Sequence, residues 1–397
     1  MSHPTNSVSK PNKTLPSTID SKSALPNEPR KRGALIWHNI LFMTITPVLA
    51  AILVPMYLMQ NGWSWGLVAF FAIAYIINNM SITCGYHRYF AHRSYDAHPF
   101  IEFLYIIVSA GAFQGSLLQW CTDHRRHHRE VDTDGDPYTI NKGFWYAHLF
   151  WMFRRDQHPE ARNYAKDLAK NKIIMFQHNY YVWLASFMGF IVPGIVGYFC
   201  GFGFWGGVII GGLLRIVLTQ HSTFLINSLA HTFGRQTYTD KHTARDSFIC
   251  AVLTFGEGYH NFHHTFQADY RNGTRWYHWD PTKWWIKGLS LVGLASRLKQ
   301  AQKEEILKAR LAMEERLMLA KGASAERVTQ LKLQIVEAQK KLKALRESYK
   351  TARRDLAAKG LHFKQAARVE IRMAEIEFKA AYRQWRTFRR AFKHKAA

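Results

Sequence analysis

Four apolar runs punctuate the chain, at about 37–60, 65–84, 177–200 and 203–226. Each is long enough to cross a bilayer hydrocarbon core of about 30 Å. They come in pairs. The connectors Gln60-Asn61-Gly62-Trp63-Ser64 and Gly201-Phe202-Gly203-Phe204 are short and uncharged, whereas Arg30, Lys31 and Arg32, the segment 85–176 and everything after His231 are rich in Lys and Arg. The positive-inside rule therefore predicts two helical hairpins entering from the cytoplasmic side, with both termini and both polar segments in the cytoplasm. A fifth apolar stretch, 100–119, lies between two histidine clusters that should share a compartment, so it is expected to rest in the interface and not to span. Arg215, inside the fourth run, is expected to snorkel or to be paired within the bundle. Gly206, Gly207, Gly211 and Gly212 fit close helix packing.

Outside the apolar runs the texture differs at each end. Residues 1–33, rich in Ser, Pro, Asn and Lys, hold no apolar core and read as a disordered basic tail, not as a secretory signal. After about residue 297 the chain turns to Ala, Lys, Arg, Glu and Leu, with Val328, Leu331, Ile335, Ala338, Leu342, Leu345, Tyr349, Ala352 and Leu356 stepping by three and four. That is the seam of a coiled coil or helical hairpin, broken into three helices by Gly322 and Gly360. The expected organisation is a tail at 1–33, a membrane domain at 34–296 and a basic helical extension at 297–397. The extension carries 27 Lys and Arg against 11 Asp and Glu, about 16 of the chain's +25 charges. It reads as a solvated appendage, or as a surface for anionic headgroups or an acidic partner. Nucleic acid fits poorly, because no binding motif accompanies the spread charge.

A composition of 48% hydrophobic residues excludes a disordered chain, and four cysteines without a CxxC pair exclude both a disulfide scaffold and a thiolate zinc site. Histidine is the informative residue. Of 20 in the chain, eight fall in three clusters: His87 with His92, His124 with His127 and His128, and His260 with His263 and His264. The spacing i, i+3, i+4 of the last two puts three imidazoles on one helix face. His87 and His92, five apart, lie about 140° from each other on an ideal α-helix and so need a helix end or two different ions. Asn227 and His231 repeat the i, i+4 geometry at the end of the fourth run. Nine histidines, with an asparagine able to hold a water, can serve two metal ions with about five ligands each, and two adjacent irons fit that number best. Ligating imidazoles need acceptors for their second nitrogen; of Asp123, Asp132, Asp134, Asp136, Glu257 and Asp269, we favour Asp123 and Glu257. His98, His148, His158, His178, His221, His242 and His278 read as ordinary hydrogen-bonding side chains.

The order GYHRYFAH, DHRRHH with TDGDPY, NSLAH, GEGYHNFHH and WDPTKWWI closely resembles the membrane-bound acyl-CoA desaturases of the stearoyl-CoA or delta-9 type, over about residues 37–296. The resemblance implies an all-α protein of four transmembrane helices with a cytoplasmic helical cap around a dimetal site. It implies iron ligands at His87, His92, His124, His127, His128, His231, His260, His263 and His264, and Asn227 holding a metal-bound water. It further implies insertion of a cis double bond into a long acyl thioester, using O2 and two electrons. Two departures stand out: Thr122 replaces the Arg of animal members before the second box, and no HPGG cytochrome b5 motif occurs. The expected electron donor is a separate ferredoxin or cytochrome b5 type of protein.

An unactivated methylene offers no acidic proton, so a cofactor must carry the hard step and the protein's tasks are to place the chain and exclude water. Regiochemistry is then measured from a fixed head group, for which Arg154, Arg155 and Lys172 are the candidates. The methyl end is expected to stop at Tyr75, 12 residues before His87 and about 18 Å along the axis, with Phe71 a turn beyond. The alternatives are a membrane diiron hydroxylase and, outside enzymes, a zinc-binding membrane protein; the latter would space its ligands along the spans and not at their ends.

Overall fold

The computed structural model describes residues 33–155, 164–354 and 361–392. The expected disordered tail lies outside the described residues except for Gly33, as do His158, Leu356 and Gly360. Among the described residues, four helices are long and apolar enough to cross a membrane: Trp37–Asn61, Trp65–Ala91, Tyr181–Phe199 and Gly203–Thr232. The first hairpin joins α1 (Trp37–Asn61) to α2 (Trp65–Met80), whose start is capped by Ser64 accepting from the Leu67 N–H. Leu41, Ile45, Val48 and Ile52 point outward from α1, an apolar stripe suited to lipid.

Beyond α2 the helix runs on as a π-helix, Ser81–Ala91. Two helices follow, α3 (Pro99–Ala110) and α4 (Leu117–Glu130), separated by a turn in which Phe113 and Gly115 take positive φ. The stretch expected to lie in the interface is therefore a 12-residue helix, too short to span, and its last residues belong to α4. Short helices α5 (Phe144–His148) and α6 (Lys172–Asn179) lead to the second hairpin. Its first arm is α7 (Tyr181–Ser186), a π-turn and α8 (Val192–Phe199); its second is α9 (Gly203–Gly206), a π segment and α10 (Arg215–Thr232).

The two uncharged turns meet at one end, where the Tyr57 hydroxyl donates to the Phe202 carbonyl at 2.9 Å. The glycines do pack arms closely: a Cβ at Gly207 would lie 2.1 Å from the Pro193 carbonyl oxygen. Arg215 is buried and paired inside the bundle, donating to Asn78 Oδ1 and to the carbonyls of Gly111, Gly189 and Gly211.

At the other end α11 (Phe248–Leu253), α12 (His260–Thr265) and α13 (Pro281–Leu291) build a cap, closed by the antiparallel pair β1 (Asp96–Ala97) and β2 (Ala295–Ser296). The chain stays tied to this cap as far as Ala301, whose N–H donates to Asp269. The extension then forms α14 (Lys303–Ala320), α15 (Ala325–Arg354) and α16 (Leu361–Ala391). The predicted seam is buried at Val328, Leu331, Ile335, Ala338 and Leu342, and Trp385 of α16 is enclosed with Leu311 and Met318 of α14. An ion pair of Arg316 with Asp240, at 2.5 Å, docks the extension on the cap.

Candidate dimetal centre

Local backbone geometry brings the first histidine pair together. In the π-helix each N–H reaches the carbonyl five residues back, and the His92 N–H donates to the His87 carbonyl at 3.1 Å. Residues five apart therefore stack on one side, where an α-helix would turn them about 140° apart. Both rings enter one cluster, and His92 is the C-cap of this helix, so of the two expected solutions the helix end holds, with the π turn helping to bring the rings together.

The nine histidines fall into two groups, each with ligand atoms within 4.8 Å of one another: His87, His92, His124, His128 and His263, and His127, His231, His260 and His264. The i, i+3, i+4 boxes do not each aim at a single centre. On α4, His124 and His128 enter the first group and His127 the second; on α12, His260 and His264 enter the second and His263 the first. Positions i and i+4 are about 40° apart around a helix whereas i+3 falls on the other side of them, so each box straddles both groups.

The rings converge through Nε2. His263 Nε2 lies 3.0 Å from the Nε2 of both His87 and His128, and His92 and His124 approach at 2.8 Å. In the second group His260 Nε2 is 3.1 Å from that of both His231 and His264, and His127 and His264 approach at 3.3 Å.

The opposite nitrogens decide the protonation. His87 Nδ1 faces Glu257 at 3.0 Å and His127 Nδ1 faces Asp136 at 2.9 Å, so each Nδ1 carries the proton and each Nε2 a lone pair. His231 Nδ1 lies 2.8 Å from the Thr243 hydroxyl, which donates to Asp132 and must accept from the ring. Burial pushes His92, His124, His128, His260, His263 and His264 well below the ordinary imidazole range, and neighbouring imidazoles add to it. Neutral rings with lone pairs aimed at a common point are a donor set that a cation satisfies and that mutual hydrogen bonding does not. The residues fit a pair of metal ions with imidazole ligands.

Glu257 is fully enclosed. Burial alone would raise its carboxyl, but the Arg88 guanidinium and His87 outweigh it and hold it below the usual range. Arg88 donates to Glu257 at 2.9 and 3.1 Å and to Asp280 at 3.0 and 3.2 Å, which ties the first ligand to the N-cap of α13. Of the two favoured acceptors, then, Glu257 meets a ligand ring. Asp123 lines the cavity beside the centre, and the acceptor on the second box is Asp136, brought back to His127 by the loop after α4. Thr243 and Asp132 complete the set.

A cavity of about 2540 Å³ opens beside the centre, lined by His87, His124, His127, His260 and Asn227 at one part and by Lys142, Arg154, Arg155 and Lys166 at another. This exceeds the roughly 300–1,000 Å³ usual for a small-molecule site. Lys172 is exposed at the start of α6 and is not in the lining: the helix start turns it to solvent. Lys142 and Lys166, which the sequence reading missed, are in the lining, and nothing in their neighbourhood of the sequence marked them. On the second span the lining reaches Ile82 and Thr83. Tyr75 and Phe71 lie past it, their rings stacked at 5.7 Å, with Tyr75 also 5.7 Å from Phe255. Phe255 accepts through its carbonyl from the Thr282 hydroxyl, which in turn accepts from the Thr83 hydroxyl at 2.9 Å, so this aromatic layer sits next to the cavity wall.

Residues 61–291, more than half of the chain, match the family model for fatty acid desaturases, and the chain belongs to that family. It is 46% identical over 245 residues to a probable acyl-CoA desaturase of Schizosaccharomyces pombe, an alignment covering 60% of this chain and 50% of that protein. It is 34% identical over 247 residues to an sn-1 stearoyl-lipid 9-desaturase of Anabaena variabilis, covering 62% and 88%. To the human stearoyl-CoA desaturase it is 33% identical over 288 residues, covering 70% and 78%. The chain spans about half the length of the fungal relatives it matches.

Proposed function

We propose that this chain is a fatty acyl desaturase that inserts a cis double bond, at the delta-9 position, into a saturated long-chain acyl thioester such as an acyl-CoA. The observation that carries the reading is the convergence of nine imidazoles into two groups, with a large cavity beside them whose lining includes basic side chains. His87, His92, His124, His128 and His263 would hold one iron and His127, His231, His260 and His264 the other, with Asn227, in the cavity lining, able to hold a water beside them. Supplied with O2 and two electrons from a separate donor protein, such a pair oxidises two neighbouring methylenes, leaving an alkene and water.

The chain's own residues do the rest. Glu257, Asp136 and Thr243 hold the Nδ1 protons of His87, His127 and His231, which fixes ring direction and strengthens each Nε2 as a donor. Arg154 and Arg155, with Lys142 and Lys166, bind the phosphates of the carrier and set the distance from head group to reacting carbons. Lys172, at the surface, has no part in this. Tyr75 and Phe71 close the far end. The apolar wall, including Phe42, Phe113 and Tyr181, keeps water from the reacting carbons. The apolar arms support a centre at a membrane surface, and the distribution of Lys and Arg favours its cytoplasmic side. The test is replacement of His127 or His263 by Ala, which empties one ligand position without touching the apolar arms: desaturation and one iron should be lost while the protein stays folded in the membrane. An active His263→Ala protein overturns the reading.

A further inference from the structure

The two histidine groups are unequal, five against four, and one further imidazole stands beside the smaller. His242 lies on the loop between α10 and α11. Its ring centroid is 5.0 Å from that of His264, tilted by 49°. Both of its ring nitrogens are buried, and neither has a hydrogen-bond partner. A buried imidazole without a partner forfeits roughly 1–3 kcal/mol, and so calls for an explanation.

The loop does not hold the ring there by accident of slack. Gln236 donates to the His242 carbonyl at 2.6 Å. One residue on, the Thr243 N–H donates to Asp132 at 2.6 Å and its hydroxyl to the same carboxylate at 2.7 Å, while also meeting His231. The peptide that follows the ring is thus held at its carbonyl by Gln236 and at its N–H by Asp132, the carboxylate that also supports Thr243 against His231.

We propose that His242 is a tenth metal-directed histidine, the fifth imidazole of the His127, His231, His260 and His264 site. Its nitrogens lie outside the set converging within 4.8 Å, so ligation requires a rotation of the side chain, for which the missing hydrogen bonds leave it free. The ion then has two possible states, one closed by His242 and one with that position open to water from the Asn227 side. The inference rests on the dimetal reading above.

The test uses the full chain in detergent micelles, stripped of metal and titrated with Co(II). Wild-type protein should bind two ions. In His242→Ala one of the two should be held about 10–100-fold more weakly, as for loss of a ligand-supporting group. Its visible absorption should intensify as the coordination number falls, and added imidazole should restore the wild-type spectrum. Identical affinities and spectra for wild type and His242→Ala overturn the proposal. So does equal weakening of both ions together with a lower melting temperature, which marks a packing role. Should Asn227→Ala but not His242→Ala change the spectrum, the fifth position belongs to a water held by Asn227. Wild-type protein that binds fewer than two ions removes the dimetal reading itself.

Discussion

Replacing Glu257 by Gln keeps the size of the side chain and removes the charge on which two neighbours depend. The carboxylate receives His87 Nδ1 at 3.0 Å and two N–H groups of Arg88. With Gln the ring loses the partner that fixes its tautomer, and loss of such a partner typically weakens metal affinity 10–100-fold, or about 1.4–2.7 kcal/mol. The expected loss falls on the ion of the five-histidine group, since His127 keeps Asp136. Stability suffers separately. Removing one partner of a buried ion pair costs about 3–5 kcal/mol, and here the low end applies because Arg88 keeps its contacts with Asp280. The pH dependence has a definite sign. The folded carboxyl lies below its usual range, so its contribution is present above the unfolded value near 4.3 and is lost as pH falls through the folded one. Wild type and Glu257→Gln should differ most at neutral pH and converge in acid. Chelator competition at pH 7 and thermal unfolding from pH 7 down to about pH 2 measure the two effects. A variant that matches wild type in both at pH 7 refutes the reasoning.

Asp246 behaves in the opposite sense: burial raises its carboxyl to about 6 against the pull of the Phe262 N–H, so its contribution is present below the unfolded value near 3.9 and is lost as pH rises through 6. Asp246→Asn should therefore gain up to about 3 kcal/mol at pH 7 and nothing at pH 4, read from melting temperature against pH. Tyr75→Ala should open the aromatic layer and move activity toward longer acyl chains, measured by product profile over a chain-length series; an unchanged profile removes Tyr75 from the site. Deleting residues 303–397 should leave the iron content of the remaining chain intact and weaken association with anionic membranes or an acidic donor, more so at low salt; loss of iron would make the extension part of the core. Trp385→Ala, emptying a fully buried position, should cost the extension about 3–5 kcal/mol, seen as an early melting phase.

Patterns carried by one segment were readable from the residues. The arms announce themselves by length and apolarity, the α15 seam by its steps of three and four, and the boxes at 124 and 260 by ligand spacing. What escaped depends on contacts between segments or on helix type. Ser81–Ala91 carries nothing that distinguishes a π-helix from an α-helix, so the helix end at His92 is legible in the spacing of His87 and His92 but the π turn before it is not. Asp123 was favoured for its adjacency to His124, but the acceptor that reaches an imidazole is Asp136, whose place is set by the loop after α4. Lys172 is exposed at the start of α6, outside the cavity lining, a placement that its basic neighbourhood in the sequence does not reveal. His242 has no ligand-spaced neighbour in its own segment and acquires its position only when its loop folds over His264.

The most direct measurement is product analysis on the iron-loaded full chain in lipid nanodiscs, given a saturated long-chain acyl-CoA, O2 and a chemical reductant, with the acyl products released and identified by mass spectrometry. The account predicts a cis-monoenoic product, at the delta-9 position, in amounts that depend on O2 and vanish in His263→Ala. A hydroxylated chain from the same protein with two irons bound would make it a hydroxylase, and an unaltered acyl chain would contradict the account outright.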